Sequence, residues 1–563
     1  MSLLRRTLPA HRQEGGRRPY QVLLLAAATG GFVGFAVVAL QRAMIDGLLE
    51  AVDRRPLALQ VVAPGVGLLI AWVSLRWLAD RGSPTTTDAY VRNFHEEAHE
   101  RLSAKPLLGR VLASVGTIGY GGALGVEGAS AYVGAVAGST AQRRFARFFS
   151  REDAKLLMVA GVAAGIAAVF KAPATGALFA MEVPYRSDVA RRNVLPAVVG
   201  AVTGYVALAA VEGTTPLLSF VGGSSFGIVD LGAAAVVGLL CGGGARLFSV
   251  ALRYVRRGVM EQVPAGVRIV AGGAILGLLV LVTEAATDAP LTLGPGLNVI
   301  AWATSESRGQ WLVLLLLATR LGAVLTSVGG GGVGGLVFPL IVMGALTGRL
   351  ASGAIGTADS DLLLVVGMAA FLAAGYRTPL AAVMLVAEAT ASPGLVVPGL
   401  LAVAASQLVI GDESVSAYQR AGRLGHLERR FELPISAVLE TDVRTVPPDA
   451  TIEEFLAVHL VGYRQRAVAV VEDGNRYLGL AVLDEIVAIR REAWATTEIR
   501  TIARVTVPRG RTTWLVRDAI QAMERADTDV LAVVDGEDRF VGVVTTEGVL
   551  RLDEILERTD GAR

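Results

Sequence analysis

Glu127 stands in the stretch Gly119–Ala135, GYGGALGVEGASAYVGA, with no other charged residue between Arg110 and Arg143. A carboxylate inside an apolar run is costly, and within a membrane such a group marks a functional site. Gly125 and Gly128 beside it suggest a helix break or start. There, unpaired backbone N–H groups and the positive end of the helix dipole hold anions. A carboxylate at that spot competes with a small anion for the same donors, which is the physical basis of an anion gate. The bland alternative is a solvated loop carboxylate between two helices. Glu388, in LVAEAT, is a second acid in an apolar run and reads as structural, accepting backbone hydrogen bonds. Lys171 and Arg377 occupy matching FKAP and YRTP turns. They read as interfacial anchors that also add positive potential to an anion vestibule.

The elements that must position these groups are membrane helices. Of the 563 residues 53% are hydrophobic and 18% charged, and the mean hydropathy is +0.53. Tyr20–Gln41, Asn193–Val211, Leu231–Ala245, Gly322–Gly348, Leu362–Tyr376 and Ala389–Gly411 carry no charge. Their lengths approach or reach the roughly 17–25 residues of a membrane span. The segments Tyr20–Val211 and Leu231–Ile410 share a hydropathy rhythm, and each has one glycine-dense break, Gly116–Gly128 and Gly329–Gly335. Paired breaks in two halves point to a midplane site built from interrupted helices. The first run is too long for the core of a signal peptide. Arg5, Arg6, Arg12, Arg17 and Arg18 before it place the N-terminus in the cytoplasm by the positive-inside rule.

Several chemistries are set aside. The single cysteine, Cys241, precludes an internal disulfide framework or a cysteine metal site and reads as a small buried side chain. GGGGVGG lacks the Lys-Ser/Thr of a phosphate-binding loop. His95 and His99 lie in NFHEEAHERL, which reads as a solvated helix and not a ligand cluster. The net charge of +2 implies no nucleic acid partner.

Beyond Asp412 the composition turns charged, with a linker at 412–433. The rest reads as two copies of one α/β unit: strands AVAVVED and VLAVVDG, each followed by a second strand and preceded by an amphipathic helix, Thr451–Leu460 and Val516–Ala526. VRTVPPDATIEEFL, YLGLAVLDEI and FVGVVTTEGVL resemble a tandem pair of CBS domains, over 434–490 and 494–557. The resemblance implies regulation, and in some pairs adenine nucleotide binding through Thr-x-x-Asp after the second strand. The matching places read Val482-Leu483-Asp484-Glu485 and Thr545-Thr546-Glu547-Gly548, so neither motif is intact, and a structural role at a dimer interface is the default.

Four segments, in order, resemble the CLC chloride channels and proton/chloride exchangers. Gly125-Val126-Glu127-Gly128 resembles their G-(K/R)-E-G-P, and the run Ser327–Pro339 their glycine-rich G-x-F-x-P. AGVAAGIAAVFKAPATGALFAMEV (160–183) and GMAAFLAAGYRTPLAAVMLVAEAT (367–390) resemble the helix pairs that follow. The implied fold is an α-helical polytopic membrane domain of inverted halves, 20–411 (about 20–212 and 229–411), after a cytoplasmic segment 1–19 and before the cytoplasmic CBS pair. The implied site has Glu127 as the gating glutamate. Backbone donors at Leu336 and Val337 bind the anion, with Gly125, Val126 and Glu127 around an outer position. Ser83, in Gly82-Ser83-Pro84, matches the family's inner serine, and its other reading is an N-cap. Ser416 stands where the inner tyrosine is usual, with Tyr418 two residues on. In G-x-F-x-P, Val337 fills the phenylalanine place and Phe338 follows it.

Glu182-Val183 replaces the exchangers' E-E pair, so Val183 occupies the inner proton-glutamate position. Valine carries no proton, and the pattern resembles the channel branch. The expectation is a voltage- or pH-gated chloride channel, with one pore in each subunit of a homodimer in the cell membrane, both termini cytoplasmic. The alternative within the family is a proton-coupled anion antiporter, and nitrate or fluoride selectivity stays open. From other classes, a CBS-linked divalent-cation transporter would need converging carboxylates, and a membrane-anchored enzyme a further soluble domain. The expected partners are chloride or a similar anion and membrane lipid, with no metal or redox cofactor and no catalytic residues.

Overall fold

The computed structural model describes residues 18–79, 86–95, 104–146, 155–218, 226–305, 309–355, 360–422, 433–460, 467–505, 507–526 and 528–552, with Leu102, Phe149 and Phe431 besides. The chain divides into two compact units, 1–422 and 423–563.

The first unit is helical. Its first half holds α1 (Arg18–Gln41), α2 (Leu57–Leu78), α3 (Thr86–His95), α4 (Ala104–Gly119), α5 (Glu127–Arg144), α6 (Leu156–Phe170), α7 (Pro173–Glu182) and α8 (Val194–Glu212). The second holds α9 (Ile228–Tyr254), α10 (Ala265–Thr287), α11 (Leu297–Ser305), α12 (Gln310–Gly329), α13 (Val337–Ile355), α14 (Ser360–Tyr376), α15 (Pro379–Ala389) and α16 (Val396–Ile410). Among the described residues eight helices are long and apolar enough to cross a membrane, and α6, α14 and α15 are shorter apolar helices. Large side chains such as Phe32, Trp77, Leu195 and Leu408 are exposed along these helices, as a lipid-facing surface requires.

The halves repeat. α5 packs on α6 as α13 packs on α14. Gly134 and Gly161 touch backbone to backbone in the first pair, Gly344 and Gly367 in the second, and a Cβ at any of the four would strike a carbonyl. Small residues let membrane helices approach this closely, which is what replaces a hydrophobic drive between helices in lipid. α6 and α14 both end on a left-handed residue, Lys171 (φ 54°) and Arg377 (φ 59°), and a proline then opens the next helix.

Asp412–Arg420, expected as the start of a linker, packs in the first unit. Val415 N–H donates to Gly375 O (2.9 Å), and Gln419 Nε2 donates to the carbonyls of Val183 (2.8 Å) and Tyr376 (2.7 Å).

The second unit is two similar three-stranded sheets. β1 (Thr445–Val446) runs parallel to β2 (Ala467–Glu472), which pairs antiparallel with β3 (Arg476–Val482). β4 (Gly510–Arg511), β5 (Val530–Val534) and β6 (Phe540–Thr545) repeat that order. Thr451 and Glu454 form a capping box at the start of the first amphipathic helix, and the second is Val516–Ala526. Tyr477 and Phe540 stack across the two sheets, and Asn475 Nδ2 donates to Phe540 O (2.6 Å).

Candidate functional site: a carboxylate in a two-fold glycine cradle

Two glycine loops meet at the centre of the first unit. Gly125 and Gly335 exchange both backbone hydrogen bonds, N to O, at 2.9 and 2.7 Å. Each loop begins with a glycine at positive φ, Gly121 (92°) and Gly331 (90°), which L side chains resist. Each is also tied to the opposite half by a hydroxyl: Ala123 N–H donates to Ser327 Oγ (3.1 Å) and Val333 N–H to Thr117 Oγ1 (3.0 Å). Matched residues lie 210 positions apart, so sequence repetition produces the reciprocity.

α5 and α13 start at this junction, and Glu127 is the first residue of α5. Its carboxylate is wholly buried and crosses to the other half. Oε1 accepts from the N–H of Val337 (2.7 Å) and of Phe338 (3.3 Å), the free donors at the N-terminus of α13. Oε2 has no hydrogen-bond partner. The glycines are needed for space: a Cβ on Gly125 or Gly335 would collide with the carboxylate itself. The arrangement is an anion site at a helix N-terminus, filled by a tethered anion. The carboxylate's donors are Val337 and Phe338, one residue beyond the expected Leu336 and Val337. Gly125 gives its N–H to Gly335, and Val126 accepts from Ser130. The rings of Phe170 and Phe338, 4.7 Å apart, close one side.

A cavity of about 1230 Å³ in the same unit has Asp88, Gly330, Gly331 and Ser416 in its wall. Its wall carries Arg76, Arg186, Arg253, Arg256, Arg257 and Arg268 and the acids Asp88, Glu261, Asp412 and Glu413, with Arg253 paired to Glu413 and Arg256 to Asp88. Lys171 and Arg377, expected to contribute there, do not: Lys171 approaches Glu212 (3.9 Å) and Arg377 donates to Gly411 O (2.8 Å). Ser416 is also differently employed. Its Oγ donates to Asp88 Oδ1 (2.7 Å), while Arg256 pairs with Asp88 Oδ2 (3.3 Å). Tyr418 does not take the tyrosine's place, since it lies under Arg92 in the cavity wall. Ser83 lies outside the described residues, as do His99 and the arginines at 5, 6, 12 and 17. Val183 is buried, with no group that carries a proton.

Two acids turn out to be a matched pair. Glu182 accepts from the N–H groups of Leu380 (3.1 Å) and Ala381 (2.8 Å) at the start of α15. Glu388 accepts from Ala174 and Thr175 (both 2.8 Å) at the start of α7. Each carboxylate caps the helix of the other half, favourably placed against its dipole. Cys241 is buried, its Sγ 3.6 Å from Gly367 O. Arg320 was not singled out from sequence, although a charge inside an apolar helix is itself a signal. It is buried and donates to the carbonyls of Leu291, Thr292, Gly294 and Pro295 at 2.8–3.3 Å. It thereby holds the loop whose Gly294 N–H bonds Gly121 O.

The sequence profile of the voltage gated chloride channel family matches residues 66–411, and that of the CBS domain matches 435–492 and 505–554. The chain belongs to the voltage gated chloride channel (CLC) family and ends in a CBS pair. It is 29% identical over 385 residues to a putative chloride channel protein ClcB-like of Ralstonia nicotianae, covering 63% of this chain and 83% of that protein. It is 27% identical over 403 residues to the voltage-gated ClC-type chloride channel ClcB of Escherichia coli, covering 68% and 93%. Its fold is shared with a CLC-type fluoride/proton antiporter (TM-score 0.63, 19% identity, 72% of this chain and 98% of that one). It is likewise shared with a eukaryotic CLC transporter (0.59, 17%, 94% and 98%). The protein is therefore a multi-pass membrane protein of an anion-transporting family.

Proposed function

We propose that this protein conducts chloride or a similar small anion passively, through a path in each subunit that opens when Glu127 leaves the N-terminus of α13. The observation that carries the reading is the occupancy of that N-terminus: an anion-shaped group already sits on the Val337 and Phe338 donors. Displacing it frees them and no charged side chain replaces it. Such a site binds anions yet releases them, as conduction requires. The arginines of the cavity raise the local anion concentration at its mouth. Passive conduction is favoured over exchange by Val183 and by Glu182, whose carboxylate is spent on Leu380 and Ala381. We further propose a homodimer in the cell membrane with both termini in the cytoplasm.

One observation favours the second reading, a proton-coupled antiporter: the path is closed by a carboxylate that protonation would release from its donors. Reversal potentials in bilayers, under a chloride gradient with and without a pH gradient, decide between them. For a channel the potential follows chloride alone. A reproducible shift with pH that Glu127→Gln abolishes establishes exchange. Absence of any anion current or flux overturns both.

A further inference from the structure

The hydroxyl donors expected from the family pattern are Ser83 and Ser416. Ser416 donates its proton to Asp88, itself paired with Arg256. α3 begins Thr86-Thr87-Asp88, and all three side chains are buried. Thr86 Oγ1 has no hydrogen-bond partner and stands so close to Gly128 that a methyl group there would strike it. It therefore lies beside the cradle, next to the residue whose carboxylate closes the path.

Thr87 Oγ1 is likewise buried without a hydrogen-bond partner. The Tyr376 hydroxyl lies within electrostatic range of Glu127, Asp88 and Arg256. Tyr376 is the last residue of α14, and its ring is buried edge-on against Phe179 (5.5 Å). Its carbonyl accepts from Gln419 Nε2 (2.7 Å), which fixes the backbone beneath it. Unsatisfied buried hydroxyls are costly, and an anion is an acceptor for those of Thr86 and Thr87.

We propose that Thr86, Thr87 and Tyr376 are the side-chain donors that meet the anion beside Glu127, and that Ser416 lies outside that set. The assignment rests on the anion path proposed above. Hydroxyls that can turn to follow an anion would set its affinity and the preference among anions of different size.

The test is chloride binding to the full-length protein in detergent, by calorimetry with sodium chloride in a gluconate background. Chloride, nitrate and fluoride flux from liposomes is measured alongside. Thr86→Val and Tyr376→Phe keep shape and remove one donor each. Each is expected to weaken chloride binding about five- to tenfold, the worth of one such hydrogen bond, and to change the flux ratio among the three anions. Thr86→Ser, which keeps the hydroxyl, restores both. Ser416→Ala leaves affinity within about twofold, too small a change for a lost donor of that worth. Native affinity in Thr86→Val and Tyr376→Phe, or a loss in Ser416→Ala as large as theirs, overturns the assignment while leaving the anion path intact. A wild-type protein that neither binds nor moves any of the three anions overturns the path itself.

Discussion

At the scale of single residues, the chemistry is decided by where backbone is left open. Glu127 can fold onto α13 because Gly125 and Gly335 have no side chain in its place. That much is legible in the sequence, since a lone carboxylate among glycines is visible without coordinates. The donors were legible to within one residue, because a run of glycines does not say where the helix after it begins. His95 was not legible. NFHEEAHERL looks solvated, yet the imidazole packs edge-on to Phe94 and to Tyr185, and Nε2 meets Pro184 O at 2.6 Å. Two of those partners lie some ninety residues away, beyond any local pattern. Burial pushes the His95 pKa below its ordinary 6.5; Arg420 and Lys155 push the same way, while the Pro184 carbonyl opposes them. The unfolded chain then takes up the proton more readily than the folded one, so stability is whole above about pH 6.5 and falls as the pH drops through the folded-state value. Thermal unfolding of wild type and His95→Gln between pH 8 and pH 5 is expected to show the larger acid loss in the wild type. Parallel curves would refute the assignment.

Among elements, the notable contacts are helix starts served from the opposite half. Glu182 and Glu388 each satisfy two N–H groups that have no partner within their own helix. Glu388 was readable as a structural carboxylate, but the exchange between halves was not, because it depends on how α7 and α15 face each other. Glu182→Gln keeps the shape and removes the charge. It is expected to cost about 1–3 kcal/mol, the value of charge-assisted bonds to buried donors, seen as a lowered unfolding temperature in detergent with anion affinity unchanged. Unaltered stability would mean the cap carries no load. The arginine-lined cavity was missed for the same geometric reason. Its cations come from helices far apart in the chain, and Lys171 and Arg377, conspicuous in their matched turns, are occupied elsewhere.

For the whole molecule, the division into a membrane unit and a CBS pair follows from composition, although 412–420 belongs to the first unit and not to the linker. In the second unit the altered nucleotide motif has structural duties. Thr545 Oγ1 donates to Glu440 Oε1 (3.1 Å) and accepts from Gly548 N–H (3.0 Å). Titration of the full-length protein with ATP is expected to give no saturable binding, in keeping with a structural pair; saturation would reassign the pair as a nucleotide sensor. The reciprocal ties between the halves also bear on how the protein is made. Gly125, Ala123 and Glu127 complete their bonds only with residues about 210 positions later in the chain. At a synthesis rate of roughly 5–20 residues per second, the first half waits roughly 10–40 s with its carboxylates unmatched in the membrane. Biogenesis of this protein therefore includes an interval in which the half-built subunit holds Glu127 and its glycine loop without their native partners.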